Sequence, residues 1–308
     1  MSNKEAKRKQ KIIFASIVFP GRISEINAIL LVESIRAFSG SLCHFPVWLL
    51  TPKDGTDLST TFRDKLHALD VTLVPFDIDR NVAEFPFTNH ARGAALAELK
   101  ASNRTDLLAW LSPNTIVLRE PGDFILQEGK CLGYRPVHHT LIGSLYDQPL
   151  NPFWRSIYQF CQVPDDRVFP MSTHVDNETL RPYFNAGCLI TRPKKHLLRN
   201  WCDAFLKIYR EPPFPELYLQ DKRYEIFLHQ ALLSGVILST LETDEIIELP
   251  TTYNYPLHLF EEDVTDKRPS SLDELVTIRH EGFYEDPEWF KKMPATESLK
   301  KWIAERLL

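Results

Sequence analysis

Along the first half of the chain, short apolar runs alternate with stretches of helical period. Lys11 to Phe19 (KIIFASIVF), Pro46 to Thr51 (PVWLLT) and Val71 to Phe76 (VTLVPF) read as buried strands. Between the first two, Ile26, Ile29, Leu30 and Ile35 recur at helical spacing, with Ser24 or a neighbour as the cap. Asp57 to Leu69 reads as a polar amphipathic helix, and Phe87 to Ser102 as a helix with a small-residue face at Ala91, Ala94, Ala95 and Ala97. Strands alternating with helices predict βαβ units: an α/β fold with a mixed, mostly parallel central sheet flanked by helices.

The stretch that organises the rest is Asp106 to Pro121 (DLLAWLSPNTIVLREP). Two aliphatic runs flank the polar step Ser112-Pro113-Asn114-Thr115. A run apolar on both faces suits the middle of a covered parallel sheet. Pro113 cannot donate to a ladder, so it marks the strand's end or a kink. Ligands of open α/β sheets sit beyond the carboxyl ends of strands. Ser112, Asn114 and Thr115 are therefore the first polar groups expected at a site.

Further on, Lys130 to Arg135 reads as a strand and the residues around Trp154 to Cys161 as a helix. On a continuing strand His138 and His139 point to opposite faces, and so do not chelate one metal as a pair. Pro164 to Arg181 is polar and irregular, a long loop of the kind that is usually functional, and reads as a flap. In Tyr183 to Pro193 (YFNAGCLITRP), Gly187 permits close approach of a ligand to the backbone, and Asn185 presents donors and an acceptor. Lys194 to Tyr209 reads as an amphipathic helix, Asp221 to Gly235 as a helix ended by its glycine, and Asp286 to Leu308 as a helical segment anchored by Trp289, Phe290 and Trp302.

Composition narrows the class without naming it. The 308 residues are 44% hydrophobic and 25% charged, as in a globular protein, and the net charge of -5 argues against a general nucleic-acid binder. No apolar stretch approaches the roughly 20 residues that span a bilayer. Residues 1–10 read as a charged, disordered tail, with no signal peptide after them. The five cysteines, Cys43, Cys131, Cys161, Cys188 and Cys202, have no metal or disulfide spacing and suit a cytoplasmic protein with reduced thiols.

Several of these segments, in this order, resemble the GT-A-fold glycosyltransferases, in particular the glycogenin-like and galactosyltransferase-like enzymes. Trp110 to Leu118 stands in the frame of their Asp-x-Asp strand, with Ser112 and Asn114 where both aspartates belong. Tyr183 to Pro193 carries their Phe-Asn-Ala-Gly segment, with Asn185, Ala186 and Gly187. His229-Gln230 stands where Asp-Gln is usual. Ile246 to Tyr255 (IIELPTTYNY) resembles the strand that here ends in Asn254, and Val276 to Gly282 (VTIRHEG) resembles a metal-ligand segment, one residue short, with His280.

The resemblance implies one domain over residues 11–285, with a nucleotide-binding half (11–125) and an acceptor half (126–285), followed by residues 286–308. It implies a nucleotide-diphosphate-sugar donor and an unidentified acceptor as ligands. Donor contacts are expected from Phe19, Pro20, Gly21 and Arg22 after the first strand, from Ser112 and Asn114, and from Arg92, with Asn89 and His90 assisting. Catalytic roles fall to Asn185, His229 and Gln230, and the sugar or acceptor side to Ala186, Gly187, Asn254 and His280. The family's aspartates hold a cation that neutralises the diphosphate. Neutral oxygens at Ser112 and Asn114 predict no cofactor and no bound metal; Mn²⁺ or Mg²⁺ is disfavoured rather than forbidden. Arginine, whose fork pairs with phosphate oxygens, is then the expected substitute at Arg92 and Arg22. The expectation is a hexosyltransferase-like enzyme working without a tightly bound metal. The alternatives are a non-catalytic relative that binds a nucleotide sugar, glycan or protein, and, less well supported for lack of a glycine-rich phosphate loop, a nucleotidyltransferase. A homo-oligomer is left open.

Overall fold

The computed structural model describes residues 10–53, 57–78, 82, 84–281 and 293–307 of the chain. Residues 1–9 of the tail expected at 1–10, Gly282, and the anchors Trp289 and Phe290 lie outside the described residues.

A seven-stranded sheet forms the centre, in the order β10-β6-β9-β4-β1-β2-β3. Its strands are β1 (Ile12–Ile17), β2 (Val47–Lys53), β3 (Val71–Asp77), β4 (Leu107–Leu111), β6 (Leu132–Pro136), β9 (Phe184–Thr191) and β10 (Ile246–Glu248). The pairs β1·β2, β2·β3, β1·β4 and β6·β10 are parallel, and β9 alone runs antiparallel to both its neighbours. The mixed, mostly parallel sheet expected from the alternating pattern is therefore present.

Both faces of this sheet are covered. Along β1, Ile13, Ala15 and Ile17 enter the core beneath α3 (Thr88–Ala101), α5 (Leu197–Ile208) and α7 (Lys222–Thr240). Ile12 and Phe14 point the other way, toward α1 (Arg22–Phe38) and α2 (Thr60–Ala68). The two-residue period of a strand sorts alternate side chains into these two cores. Helices α4 (Pro152–Cys161) and α6 (Phe214–Gln220) complete the first layer.

Immediately after β4 the chain crosses into a second sheet of three strands, β11 (Tyr255–Pro256), β12 (Thr277–Arg279) and β5 (Thr115–Val117), in that order. Ser34 of α1 holds β5 in place by accepting from Val117 N–H at 3.0 Å. The last helix, α8 (Glu297–Leu307), packs on this small sheet and sets Trp302 edge-on against Phe38, ring centroids 4.9 Å apart. Among the described residues no helix is long and apolar enough to cross a membrane, and all five cysteines are free.

Three local expectations are corrected. Helix α1 starts at Arg22 directly after Gly21, without a side-chain cap, and the Ser24 hydroxyl instead accepts from Phe19 N–H at 2.8 Å. The segment from Pro164 to Arg181 is not wholly irregular, because β7 (Met171–Ser172) and β8 (Thr179–Leu180) pair as a short hairpin. Helix α7 does not stop at Gly235 but continues to Thr240. The glycine is there for packing: a Cβ would lie 2.6 Å from Cys161 Sγ on α4.

Candidate functional site

The turn at Ser112 to Asn114 joins the two sheets at the carboxyl end of β4, where Pro113 breaks the ladder. Backbone bonds pin it from three sides. Ser112 N–H donates to Gly187 O at 2.7 Å, Thr115 N–H to Ser112 O at 3.1 Å, and His280 N–H to Asn114 O at 2.9 Å. The side chains form a chain of their own. Ser112 Oγ donates to Asn114 Oδ1 at 2.7 Å, Asn114 Nδ2 donates to Glu281 Oε1 at 2.9 Å, and the same oxygen lies 3.5 Å from Arg279 Nη2.

Antiparallel pairing of β12 with β5 sets Arg279 opposite Thr115, which brings its guanidinium to this turn. Gly187 makes room for it: a Cβ there would lie 3.2 Å from Ser112 Cβ and 3.4 Å from Arg279 Nη1. Asn185 Oδ1 accepts from Gly187 N–H at 2.8 Å, so the Asn-Ala-Gly segment is braced internally.

These groups border a cavity of about 310 Å³. Ser112, Asn185, Ala186, Gly187, Arg279 and Glu281 line part of it, and Phe87, His90, His229 and Gln230 line another part. Gln230 Oε1 accepts from Ala186 N–H at 3.0 Å and ties α7 to β9. His229 is held twice: its Nδ1–H donates to Ile226 O at 3.0 Å, and its carbonyl accepts from Trp201 Nε1–H at 2.7 Å. With Nδ1 protonated, Nε2 is left as an acceptor. His138 and His139 both line the cavity, contrary to the expectation of opposite faces, because β6 ends at Pro136 and the chain leaves the extended conformation. His138 Nε2 lies 3.2 Å from Asn254 O and 3.4 Å from Asn185 Nδ2, which places Asn254 behind the lining residues.

The electrostatics centre on Arg279. Burial, and then its positive charge, push His90 down to about 4 and His280 down to about 3, and hold His138 well below the usual imidazole range. His229 falls to about 3, through burial first, then His90, with a smaller contribution from Arg279. Burial also lowers Arg279, and Glu281 partly offsets that. At neutral pH these imidazoles are uncharged while the guanidinium keeps its charge.

The structure brings together Ser112, Asn114, Asn185, Ala186, Gly187, His229 and Gln230. Phe19 reaches the same region through the His90 ring, centroids 5.6 Å apart, and Pro20 follows it as a partly buried residue. Gly21 and Arg22 instead line a separate groove with Glu25, Ser59 and Lys65. Arg92 is half-buried on the side of α3 that faces α5, where Cys202 feels its charge, and it does not line the cavity. His280 is buried and joins the turn through its backbone, while its neighbour Arg279 faces the cavity. Arg279, Glu281 and Phe87 were thus missed. The two-residue period of β12 puts residues 279 and 280 on opposite faces, but three residues carry too little period to show from the sequence which face meets the cavity.

A divalent cation, implied by the resemblance, does not fit the donor set at this turn. Ser112 and Asn114 are neutral and bonded to each other, and Glu281, the one carboxylate at this turn among the described residues, is shared between Asn114 and Arg279. Hard cations take several charged oxygens, and a guanidinium beside them opposes binding. Among the described residues there is no group of three His, Cys, Asp or Glu side chains that could hold a metal.

Comparisons with known proteins bear on the fold and the family. The chain's structure is similar to that of the galactosyltransferase LgtC in complex with donor and acceptor sugar analogues, with a TM-score of 0.54 and 16% identity over 96% of this chain and 95% of that one. This likeness identifies the fold as GT-A. No curated protein matches the chain. The family model described as a Rhodobacterales glycosyltransferase domain matches residues 14–240. The chain belongs to that glycosyltransferase family.

Proposed function

We propose that this protein transfers a hexose from a nucleotide-diphosphate sugar without a tightly bound cation, and that Arg279 supplies the counter-charge to the diphosphate. The single observation that carries the reading is the position of Arg279, at the cavity and beside the Ser112–Asn114 turn. Loss of a sugar from its donor builds negative charge on the departing diphosphate, and a preorganised guanidinium fork stabilises that charge as it develops. Asn114 adds a side-chain amide beside it. Phe19 and Pro20 remain the proposed contacts for the nucleotide.

His229 is a weak base near neutral pH, since burial pushes it down to about 3. Its Nε2 therefore suits accepting a hydroxyl proton in a hydrogen bond rather than removing one. Asn185 and Gln230 hold the Ala186–Gly187 backbone against the cavity, as their bonds to the N–H groups of Gly187 and Ala186 indicate. Free cysteines and the fold support a cytoplasmic location as a proposal.

A second reading, a non-catalytic binder of a nucleotide sugar, draws on one observation. The only carboxylate lining the cavity among the described residues, Glu281, is already engaged by Asn114. Donor hydrolysis or transfer measured with EDTA present separates the two: turnover supports the enzyme, and binding without turnover supports the binder.

A further inference from the structure

Apart from the polar groups around Arg279, the cavity contains a connected set of rings. Phe87 lies over His229 with ring centroids 4.0 Å apart and planes at 21°, and it tilts against His90 at 5.3 Å. His90 in turn meets Phe19.

Phe87 stands just before α3 in the left-handed region, φ 61° and ψ 8°. Bulky side chains avoid that region. Burial does not explain the exception, because Phe87 remains 37% exposed. Leu141, which also lines the cavity, repeats the combination with φ 42° and 43% exposure. These two are the only apolar residues with positive φ among the described residues. A strained backbone that holds an apolar ring out in solvent at a cavity is a departure of the kind found where ligands are clamped.

The remaining features suit a sugar ring. His229 is fixed by Ile226 O and Trp201, so the stack has a rigid backing. Its imidazole is uncharged near neutral pH, which leaves an apolar aromatic platform. Beside the platform the same cavity offers His229 Nε2 as an acceptor and Asn185 and Gln230 as polar neighbours. A pyranose has an apolar C–H face and a rim of hydroxyls, and this pairing of surfaces matches both.

We infer that Phe87, backed by His229, is the platform on which the hexose of the donor stacks, and so determines specificity for the sugar rather than for the nucleotide. The inference rests on the nucleotide-sugar reading of the site.

The test uses the full chain and a panel of UDP-, GDP-, CMP- and dTDP-sugars. Calorimetry compares the tightest-binding member with its free nucleoside diphosphate (or monophosphate, for a CMP-sugar). Phe87→Asn removes the ring, while asparagine tolerates the left-handed backbone; Phe87→Tyr keeps the ring. Phe87→Asn is expected to weaken nucleotide-sugar binding roughly tenfold, to leave the free nucleotide within about twofold, and to keep or raise Tm. Phe87→Tyr is expected to restore binding. Equal affinities of Phe87→Asn and wild type for the nucleotide sugar would overturn the inference alone. Equal loss for sugar-bearing and free nucleotide would overturn it in favour of a base-stacking role. Failure of the wild type to bind any panel member would overturn the reading of the site and the inference with it.

Discussion

Replacing Arg279 is the most informative perturbation. Arg279→Met keeps the aliphatic stem and removes the charge. A charge-assisted hydrogen bond contributes about 1.5–3 kcal/mol, and a guanidinium fork offers two to a diphosphate. The side chain is 25% exposed, so solvent screens part of this. Taking the low end for both bonds gives about 3 kcal/mol, a loss of about a hundredfold in kcat/KM or in nucleotide affinity. Stability should change little. Glu281, the carboxylate left behind, is itself half-exposed, and removing a partly buried cation relieves its own desolvation. Arg279→Lys, a point charge without the fork, should fall between the two. The assay is calorimetric binding of the nucleotide alongside kcat/KM, with Tm as the control for folding. A second readout is independent of activity. Arg279 lowers His90, His138, His229 and His280, so Arg279→Met should raise all four toward, though not to, the ordinary imidazole value, as followed by NMR titration. Wild-type affinity and turnover in Arg279→Met, with the fold intact, would refute the assignment.

Three further outcomes follow from particular contacts. Glu281 occupies Asn114 and sits beside Arg279 where a phosphate would bind, so Glu281→Gln should tighten binding of pyrophosphate a few-fold, most clearly at low salt; weaker binding on calorimetry would contradict this placement. Gly235→Ala sets a methyl group 2.6 Å from Cys161 Sγ and 3.1 Å from Ile157 Cγ2, so it should cost about 1–3 kcal/mol in denaturant unfolding; an unchanged midpoint would show that α4 and α7 can separate freely. His174, His229 and His280 are held neutral by burial, each near 3, whereas in the unfolded chain they take up protons below about 6.5. Their contribution to stability is therefore complete above about pH 6.5 and is lost as pH falls toward 3, by up to about 1.4 kcal/mol per histidine per pH unit. Unfolding midpoints that stay flat from pH 7 to 5 would show that these imidazoles are not buried.

Strands were legible wherever hydrophobicity and period agreed. The apolar run of β1 and the break at Pro113 follow from the residues themselves, because a strand buried on both faces admits few polar groups. Asn185, Gly187, His229 and Gln230 could be placed near one another only through the family resemblance, since α7 and β9 meet by tertiary packing that no local pattern records. Two kinds of information were hidden. Side-chain direction on a three-residue strand decided between Arg279 and His280, and a segment that short carries too little period to orient. Helix rotation decided Arg92: the small residues Ala91, Ala94 and Ala97 do face the core, but that face leaves Arg92 beside α5 rather than at the cavity. Gly235 misled because a glycine can serve as a helix end or as a close-packing site, and only the Cys161 contact distinguishes them.

The central claim is that a nucleotide sugar is held and its diphosphate neutralised by this chain's own guanidinium. Calorimetric titration of the wild type with the panel of nucleotide sugars, once with EDTA and once with Mn²⁺, tests it most directly. Binding to one nucleotide class with the same affinity in both buffers is the result expected. Binding that appears only with Mn²⁺ would contradict the claim and put a cation where Arg279 is placed.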